Sequence, residues 1–230
     1  MKDYLLFVDT ETSSLPKNWN LPYSKDDNWP YAVQISWLIY NKQGDLIKQE
    51  DHYVGNAEII IASTATKVHG ITREQLDKKG EPRKVILQKL VEDIVKFEPL
   101  IVGHFMEFDA HILGADFYRE SIENPIRLEQ SFCTMHATKH LARNPSAPFL
   151  KLSQLYRLLF NEKLEDVHNA LGDAKATAAC YFELWNRGDI TDESIIKQQT
   201  QVLQKTKPSK PFGCLPVLIF FILIISYLLL

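Results

Sequence analysis

The order of apolar segments constrains the fold of this chain more than any other feature of its sequence. Residues 4–8 form a short apolar run, and β-rich segments at residues 32–40 and 46–54 are separated by a polar turn around residues 43–45. The short connection predicts an antiparallel hairpin from the latter two segments. The first run lacks polar alternation, which is typical of a central strand covered on both faces.

The remainder of the chain alternates between helical and strand patterns. Apolar residues recur near helical spacing in residues 82–97, where Pro82 suits a first turn, and residues 100–102 predict a further strand. Further helices are predicted at residues 108–118, 152–159 and 171–185. This pattern predicts an α/β domain with a mixed central sheet flanked by helices, in which ligands gather beyond the carboxyl ends of strands.

Composition limits the classes of function that the chain can have. Its 230 residues carry 29 acidic and 26 basic side chains, a net charge of -3 that argues against a broad basic surface coating nucleic acid. A site that engages only a strand terminus, with metal ions supplying positive charge, is compatible with this balance. The 3 cysteines form no CxxC pair, so neither a disulfide framework nor a zinc site is indicated, and a reducing cytosol fits best.

The C-terminal segment differs from everything before it. Residues 211–230 contain no charged side chain and consist mostly of Leu, Ile, Val and Phe. A helix over residues 212–230 would be about 28 Å long at ~1.5 Å per residue, close to the ~30 Å hydrocarbon thickness of a bilayer. Three lysines precede it and favour a folded domain on the cytoplasmic side of the membrane: Lys205, Lys207 and Lys210.

Three segments with different environments are therefore expected. Residues 1–190 are predicted to form the folded domain, residues 191–210 a polar and basic linker that is partly helical, and residues 211–230 a transmembrane anchor. The alternative for the last segment is a terminal helix that packs against the domain or lies in the membrane interface.

Acidic residues follow the predicted strands. Asp9 and Glu11 are two apart in an extended segment, so their carboxylates point to the same side. Asp109 follows the strand at residues 100–102 and is expected at the start of a helix, where the helix dipole stabilises a carboxylate. Taken alone, these acids are equally compatible with an ordinary strand end and an ordinary helix start.

His168 and Asp173 are a further candidate pair. On one continuous helix their side chains would lie about 140° apart at ~3.6 residues per turn. They converge only if His168 lies in a loop and the helix begins near Ala170 or Leu171. A partly exposed imidazole beside carboxylates suits a general base, whereas the simpler alternative is a solvated surface histidine.

Four carboxylates in one cleft would need cations to remain close together. Hard oxygen ligands select Mg²⁺ or Mn²⁺ over zinc. Two such ions, roughly 3.5 to 4 Å apart, can clamp the attacking and leaving oxygens of a phosphodiester. The acidic residues therefore predict metal-assisted hydrolysis by water.

Three segments together resemble a known family. Residues 7–15 (FVDTETSSL), 102–109 (VGHFMEFD) and 168–173 (HNALGD) are similar to the three motifs of the DEDD superfamily of 3'-5' exonucleases. The histidine variety of that superfamily includes the proofreading epsilon subunit of bacterial DNA polymerase III. The resemblance covers about the first 185 residues and implies a ribonuclease H-like fold.

The resemblance implies the following catalytic set. Asp9, Glu11, Asp109 and Asp173 would bind two Mg²⁺ or Mn²⁺ ions, and His168 would deprotonate the attacking water. One ion would activate that water and the other would stabilise the departing 3' oxygen. Nucleoside 5'-monophosphates would be released.

The resemblance also implies contacts with the substrate. The expected residues are Thr10, Thr12, Leu15, His69, His104 and Phe108, and a capping or loop role is the alternative for His69. Leu15 matches the position that wedges against terminal bases, and Glu11 is expected to meet the 3' hydroxyl. Phe105 and Ser14 depart from the Asn and Gly common in relatives. Three loop aromatics either stack on bases or pack within their own loop: Trp19, Tyr23 and Trp29.

The expected activity is 3'-5' hydrolysis of single-stranded DNA in proofreading or repair, on the cytoplasmic face of a membrane. A proofreading role would need a polymerase partner. The enzymatic alternative is 3' trimming of RNA or oligoribonucleotides, and a 2'-hydroxyl contact would separate the two substrates. The alternative of another class is a membrane-anchored nucleic-acid-binding scaffold without turnover.

Overall fold

The computed structural model describes residues 2–25, 27–165 and 167–206. Its strands are β1 (Tyr4–Thr12), β2 (Ala32–Asn41), β3 (Leu46–Tyr53), β4 (Leu100–Gly103) and β5 (Ser131–Cys133). Its α-helices are α1 (Ser63–His69), α2 (Arg73–Lys79), α3 (Arg83–Phe97), α4 (Met106–Arg119), α5 (Thr134–Ala137), α6 (Leu152–Phe160), α7 (Ala170–Asn186) and α8 (Asp192–Thr206).

The five strands form one mixed sheet in the order β3-β2-β1-β4-β5. β2 pairs antiparallel with both β1 and β3, whereas β4 runs parallel to β1 and β5 parallel to β4. The predicted hairpin and the predicted mixed sheet are both confirmed. Gly44 in the hairpin turn has a φ of 93°, a conformation that glycine adopts without steric cost.

The first strand is longer than its apolar run predicted. β1 continues to Thr12 because β2 pairs with it along its whole length, as far as Ala32. Asp9 and Glu11 consequently lie within a paired strand and not in a loop beyond it. Their backbone positions are therefore fixed by ladder hydrogen bonds on the β2 side.

Helices cover both faces of the sheet and create two hydrophobic layers. α3 and α4 cover one face, where residues such as Ile86, Leu90 and Leu113 are fully buried. α6 and α7 cover the other face, and α7 presents Ala174 and Ala178 to the sheet. These small side chains let α7 approach the sheet closely, and this sets the position of the first turn of α7 above the strands.

Several elements were not predicted from the sequence. α1 buries no residue and α2 buries only Leu76, so neither short helix has an apolar stripe that periodicity could detect. β5 is only three residues long. α4 begins at Met106, two residues before its predicted start, a difference that is ordinary for helix termini.

Only part of the predicted C-terminal segments lies within the described residues. α8 lies within the segment predicted as a partly helical linker. The predicted anchor at residues 211–230 lies outside the described residues. No helix within the described ranges is both long and apolar enough to cross a membrane.

Candidate active site with buried carboxylates

β1 carries the first two acids of the site. Asp9 lies opposite Ser36 of β2, and Glu11 lies opposite Gln34. Because side chains alternate along a strand, both carboxylates are on the same face, as predicted. Glu11 retains only 9% of its surface exposure.

Asp109 lies in the first turn of α4 and is only 3% exposed. The hydroxyl of Thr10 donates a hydrogen bond of 2.8 Å to Asp109 Oδ1, which ties the helix start to the centre of β1. Phe105 precedes the helix with a φ of 71°, in the left-handed region that Asn adopts more readily than an aromatic residue. The Phe at this motif position therefore occupies a strained backbone conformation directly beside the site.

His168 and Asp173 meet in the way that the sequence required. α7 begins at Ala170, and its N-cap Asn169 accepts a hydrogen bond of 3.1 Å from the Gly172 N–H. His168 lies before the helix with a φ of 64°, and its backbone N–H donates to Asp173 Oδ2 at 3.1 Å. The predicted condition, a loop histidine followed by a helix start near residue 170, is confirmed.

Side chains from two distant segments converge on one small space. Glu11, His168 and Asp173 each offer one ligand atom, and these atoms all lie within 4.8 Å of one another. Asp9 and Asp109 are not among these three. Their charges nevertheless act on the same carboxylates, as the pKa shifts of the group show.

Burial is the main cause of the raised pKa values at the site, and repulsion between the acids adds to it. The pKa of Glu11 is raised to about 8 by burial and then by the charges of Asp173 and Asp109. Burial raises the pKa of Asp109 to about 7, although hydrogen bonds from Thr10 oppose the shift. The pKa of Asp9 is raised well above its ordinary value, and the pKa of Asp173 is also raised. Such a cluster carries its full negative charge only when cations neutralise it.

Gln34 is a positioning residue that the sequence reasoning missed. Its side chain is fully buried on β2, and its Oε1 accepts a hydrogen bond of 3.2 Å from the Ala170 N–H at the start of α7. Its Nε2 donates to Asp51 Oδ1 at 2.8 Å, which fixes the orientation of the amide. A polar residue inside an otherwise apolar strand was the available signal.

His69 supports the end of β1. The Ile71 N–H donates to its Nδ1 at 3.0 Å, so its Nε2 carries the proton and donates to the Thr12 carbonyl at 3.2 Å. Burial lowers the pKa of His69. The Thr12 hydroxyl in turn donates to the Ser14 carbonyl at 2.7 Å, within the turn that leads to Leu15.

Both ring nitrogens of His104 are engaged in contacts within the protein. Its Nε2 lies 2.9 Å from the Leu150 carbonyl, and its Nδ1 lies 3.0 Å from the Thr134 hydroxyl. Burial lowers the pKa of His104 to about 4. The neutral ring therefore donates to Leu150 and accepts from Thr134, which holds both segments against the link between β4 and α4.

Exposed apolar side chains follow β1 and precede or begin α4. Leu15 is 74% exposed, and the half-buried Phe108 stacks on Phe105 with ring centroids 6.1 Å apart. Trp19 lies 5.9 Å from Phe105 and 6.0 Å from Phe108, centroid to centroid. These side chains form an aromatic surface beside the first turn of α4.

The other two loop aromatics pack within the protein. Trp29 is 3% exposed and stacks on His111, with ring centroids 5.0 Å apart. The Tyr23 hydroxyl lies 2.9 Å from His111 Nδ1, and a side chain at Gly114 would collide with it. For these two residues the structure supports loop packing, the simpler of the two alternatives.

Comparison with known proteins identifies the family. The model of the exonuclease family RNase_T matches residues 7–181, a range that includes all four acids and His168. The chain belongs to this exonuclease family. By family it is a nuclease of the hydrolase class, and exonucleases of this kind depend on divalent metal ions.

Solved structures share the fold at low sequence identity. A zinc-bound complex of E. coli exonuclease I with single-stranded DNA has a TM-score of 0.67 at 17% identity, over 88% of this chain and 45% of that one. A complex of the same enzyme with a dA16 oligonucleotide has a TM-score of 0.67 at 17% identity, over 88% of this chain and 46% of that one. A 3'-exonuclease that recognises a histone mRNA stem-loop has a TM-score of 0.63 at 14% identity, over 81% of this chain and 83% of that one.

These likenesses establish the fold and nothing finer. They confirm the ribonuclease H-like exonuclease fold that the motifs implied. The chain spans less than half the length of the exonuclease I structures it matches. No curated protein sequence is significantly similar to it.

Proposed function

We propose that this protein is a metal-dependent 3'-5' exonuclease that removes nucleoside 5'-monophosphates from the 3' end of single-stranded nucleic acid. One observation carries the proposal: ligand atoms of Glu11, His168 and Asp173 lie within 4.8 Å of one another, in a chain of the exonuclease family. Half-buried Asp9 and buried Asp109 add two further acids to the same electrostatic cluster.

The residues at the site fit divalent cations. The donor set consists of carboxylate oxygens whose mutual repulsion is unfavourable without positive charge, which suits Mg²⁺ or Mn²⁺. Asp9, Glu11, Asp109 and Asp173 would hold two such ions. When bound, the ions supply the positive charge that makes water a better nucleophile and stabilises the departing 3' oxygen.

His168 is proposed as the general base. It is exposed, and its backbone N–H is fixed on Asp173, so its ring is accessible to solvent beside the carboxylates. The imidazole would accept the proton of the attacking water. A histidine in this position relative to the last acid supports assignment to the histidine variety, which includes the epsilon proofreading subunit.

The 3' terminus is proposed to enter past Leu15. This exposed side chain follows the turn after Thr12 and would wedge against the terminal base, while Phe108 would contact the nucleotide from α4. Thr10 would act through Asp109, whose carboxylate it orients. His69 and His104 would act by positioning the segments around the cleft, given their contacts with backbone carbonyls.

DNA is the proposed substrate, with RNA as the alternative. The structural similarity to exonuclease I, whose complexes contain single-stranded DNA, favours DNA. The similarity to the 3'-exonuclease that recognises an mRNA stem-loop keeps RNA as the alternative. A repair or proofreading role, the latter with a polymerase partner, belongs to the same proposal.

Release of mononucleotides from a strand labelled at its 3' end tests the activity. The protein should release 5'-mononucleotides from DNA when Mg²⁺ is present and not in EDTA, and Asp9→Ala should abolish the release. Asp189→Asn, an equal loss of charge at an exposed site, should leave it unchanged. No release from DNA or RNA would reject the proposal and favour a binding protein without turnover.

We also propose, from the sequence alone, that residues 211–230 anchor the protein with its folded domain on the cytoplasmic face of a membrane. Carbonate extraction of membranes that contain the full-length protein should leave it in the membrane fraction, and removal of residues 211–230 should release it. A full-length protein that is extracted would contradict the anchor.

A further inference from the structure

A segment between the second and third motifs carries basic side chains and no acids. Residues 130–161 contain no Asp or Glu, although acids outnumber basic residues 29 to 26 in the whole chain. Within this segment are Lys139, Arg143, Lys151 and Arg157. Because no acid offsets these side chains, the segment has a local net positive charge within a chain whose net charge is -3.

All four of these cations face solvent, and three of them lie within residues 139–151. Lys139, Arg143 and Lys151 are exposed, and among the described residues no ion pair involves any of them. This contrasts with cations elsewhere on the domain, such as Arg83 and Lys48, which are held by nearby carboxylates. The three side chains are consequently available to bind an anion in solution.

An exposed aromatic ring contacts one of these cations. Phe149 is 39% exposed, and Lys139 Nζ lies 5.5 Å from the centre of its ring. The ring of His136 lies 5.3 Å from the Phe149 ring, centroid to centroid. Cations interleaved with an exposed aromatic face suit a single-stranded nucleic acid, because the cations meet phosphates and the ring can stack on a base.

The segment contacts the link that leads to Asp109 and the helix that carries Asp173. His104, in the link between β4 and α4, contacts both Thr134 and Leu150, and this link leads directly to Asp109. α5 and α6, which lie in the segment, both pack against α7, whose first turn carries Asp173. The basic side chains are thus attached to both elements that contribute acids from the later motifs.

We propose that Lys139, Arg143 and Lys151 form a phosphate-binding surface for the part of the substrate strand upstream of its 3' end, with Phe149 as a stacking face. The inference rests on the proposed exonuclease function and concerns the backbone chemistry that DNA and RNA share. In this arrangement the segment binds the upstream part of a long strand, and the carboxylates take part in hydrolysis at its 3' end.

The test compares a long substrate with a minimal one. The triple variant K139Q/R143Q/K151Q is assayed on two substrates. One is a single-stranded oligo(dT), and the other is the p-nitrophenyl ester of thymidine 5'-monophosphate, which has one phosphate and no upstream strand. KM for the strand should rise about tenfold or more, while kcat/KM for the small ester should stay within about twofold of the wild-type value.

Salt dependence gives an independent readout. Each phosphate contact with a single strand contributes about 0.7 to the slope of log affinity against log salt concentration, so the slope should fall by about 2 in the triple variant. Phe149→Ala should raise KM for the strand about fivefold without changing the salt slope, because stacking involves no ion release.

A matched control removes the same charge elsewhere. K78Q/K84Q/K96Q changes three exposed lysines on α2 and α3 and should leave both KM and the salt slope unchanged. Equal effects of the two triple variants would overturn the inference, as would equal losses on the strand and the ester. Loss of binding to phosphatidylserine vesicles with an unchanged KM for the strand would also overturn it and assign the surface to lipid.

The result is separable from the proposed function itself. Fluorescence anisotropy of a labelled strand in EDTA measures binding without hydrolysis, so the basic surface is tested even if no turnover occurs. A wild-type protein that binds the strand but hydrolyses neither substrate would reject the proposed function alone. A triple variant that binds the strand as tightly as the wild type would reject this inference alone.

Discussion

Two buried aspartates on the same helix have opposite surroundings. Asp109 and Asp116 lie two turns apart on α4, with exposures of 3% and 0%. Asp116 accepts hydrogen bonds from Arg119 at 2.6 Å and from the Ala32 N–H at 3.1 Å, and Arg83 lies 3.7 Å away. Asp109 accepts from the Thr10 hydroxyl, and its charged neighbours are further acids.

The difference between them distinguishes a buried carboxylate with cationic partners from one whose charged neighbours are acids. Burial raises the pKa of both side chains, but at Asp116 the charges of Arg83 and Arg119 oppose the shift. These two arginines also lie over the ring of Tyr31, which connects α3, α4 and the loop before β2. The protein neutralises Asp116 with its own cations, whereas no cationic side chain acts on the pKa of Asp109, and we propose that a divalent cation takes that place.

Asp109→Asn is expected to have the largest effect on activity. Removal of a charged group from a preorganised site costs about 10³-fold in kcat, measured on the 3'-labelled strand. Thermal stability in EDTA at pH 8 should remain equal to that of the wild type or increase, because a repulsive charge is removed. A variant that loses activity because it unfolds would contradict the comparison.

Asp116→Asn should have the opposite profile. Its loss leaves Arg83 and Arg119 without their shared buried partner, which costs about 3 to 5 kcal/mol of unfolding free energy. Urea denaturation followed by circular dichroism measures this change. The fraction that remains folded should keep its kcat, so a variant with normal stability and impaired turnover would reverse the assigned roles.

Divalent cations should stabilise the two variants differently. Mn²⁺ at about 100 times its dissociation constant should add about 2.7 kcal/mol to the stability of the wild type. Asp116→Asn should keep this increment, whereas Asp109→Asn should lose most of it. Thermal shifts of the same size in all three proteins would place the ion elsewhere.

His104 extends the comparison to a buried group that avoids charge by remaining neutral. Its pKa falls from an ordinary 6.5 to about 4 in the folded protein, so the unfolded chain binds more protons between these values. The stability that His104 contributes is therefore fully present above pH 6.5 and is lost as the pH falls towards 4. His104→Asn should flatten this part of the stability profile, as urea midpoints at pH 7 and pH 5 would show. Parallel profiles would contradict the assignment.

The sequence predicted those parts of the site that depend on local pattern. The period of two along a strand was enough to put Asp9 and Glu11 on one side, and helical periodicity was enough to show that His168 meets Asp173 only from a loop. Both depend on neighbours in the chain. The starts of the two helices that carry Asp109 and Asp173 were therefore predicted close to those observed, whereas β1 extends to Thr12, beyond its predicted end at residue 8.

The parts that depend on distant contacts were not predicted. The hydrogen bond between Gln34 and Ala170 joins residues far apart in sequence. The hydrogen bond from the Ala32 N–H to Asp116 does the same. Gln198 of α8 pairs with the N–H and C=O of Cys133, at 2.6 and 3.1 Å, and so satisfies an edge strand that has no outer neighbour in the described sheet. No local pattern in the sequence indicates such partners.

Anomalous diffraction from crystals grown with Mn²⁺ tests the central claim most directly. The account predicts ion peaks bounded by the carboxylates of Asp9, Glu11, Asp109 and Asp173, and none at Asp116. Peaks elsewhere, or an active enzyme whose four carboxylates bind no ion at saturating Mn²⁺, would contradict it.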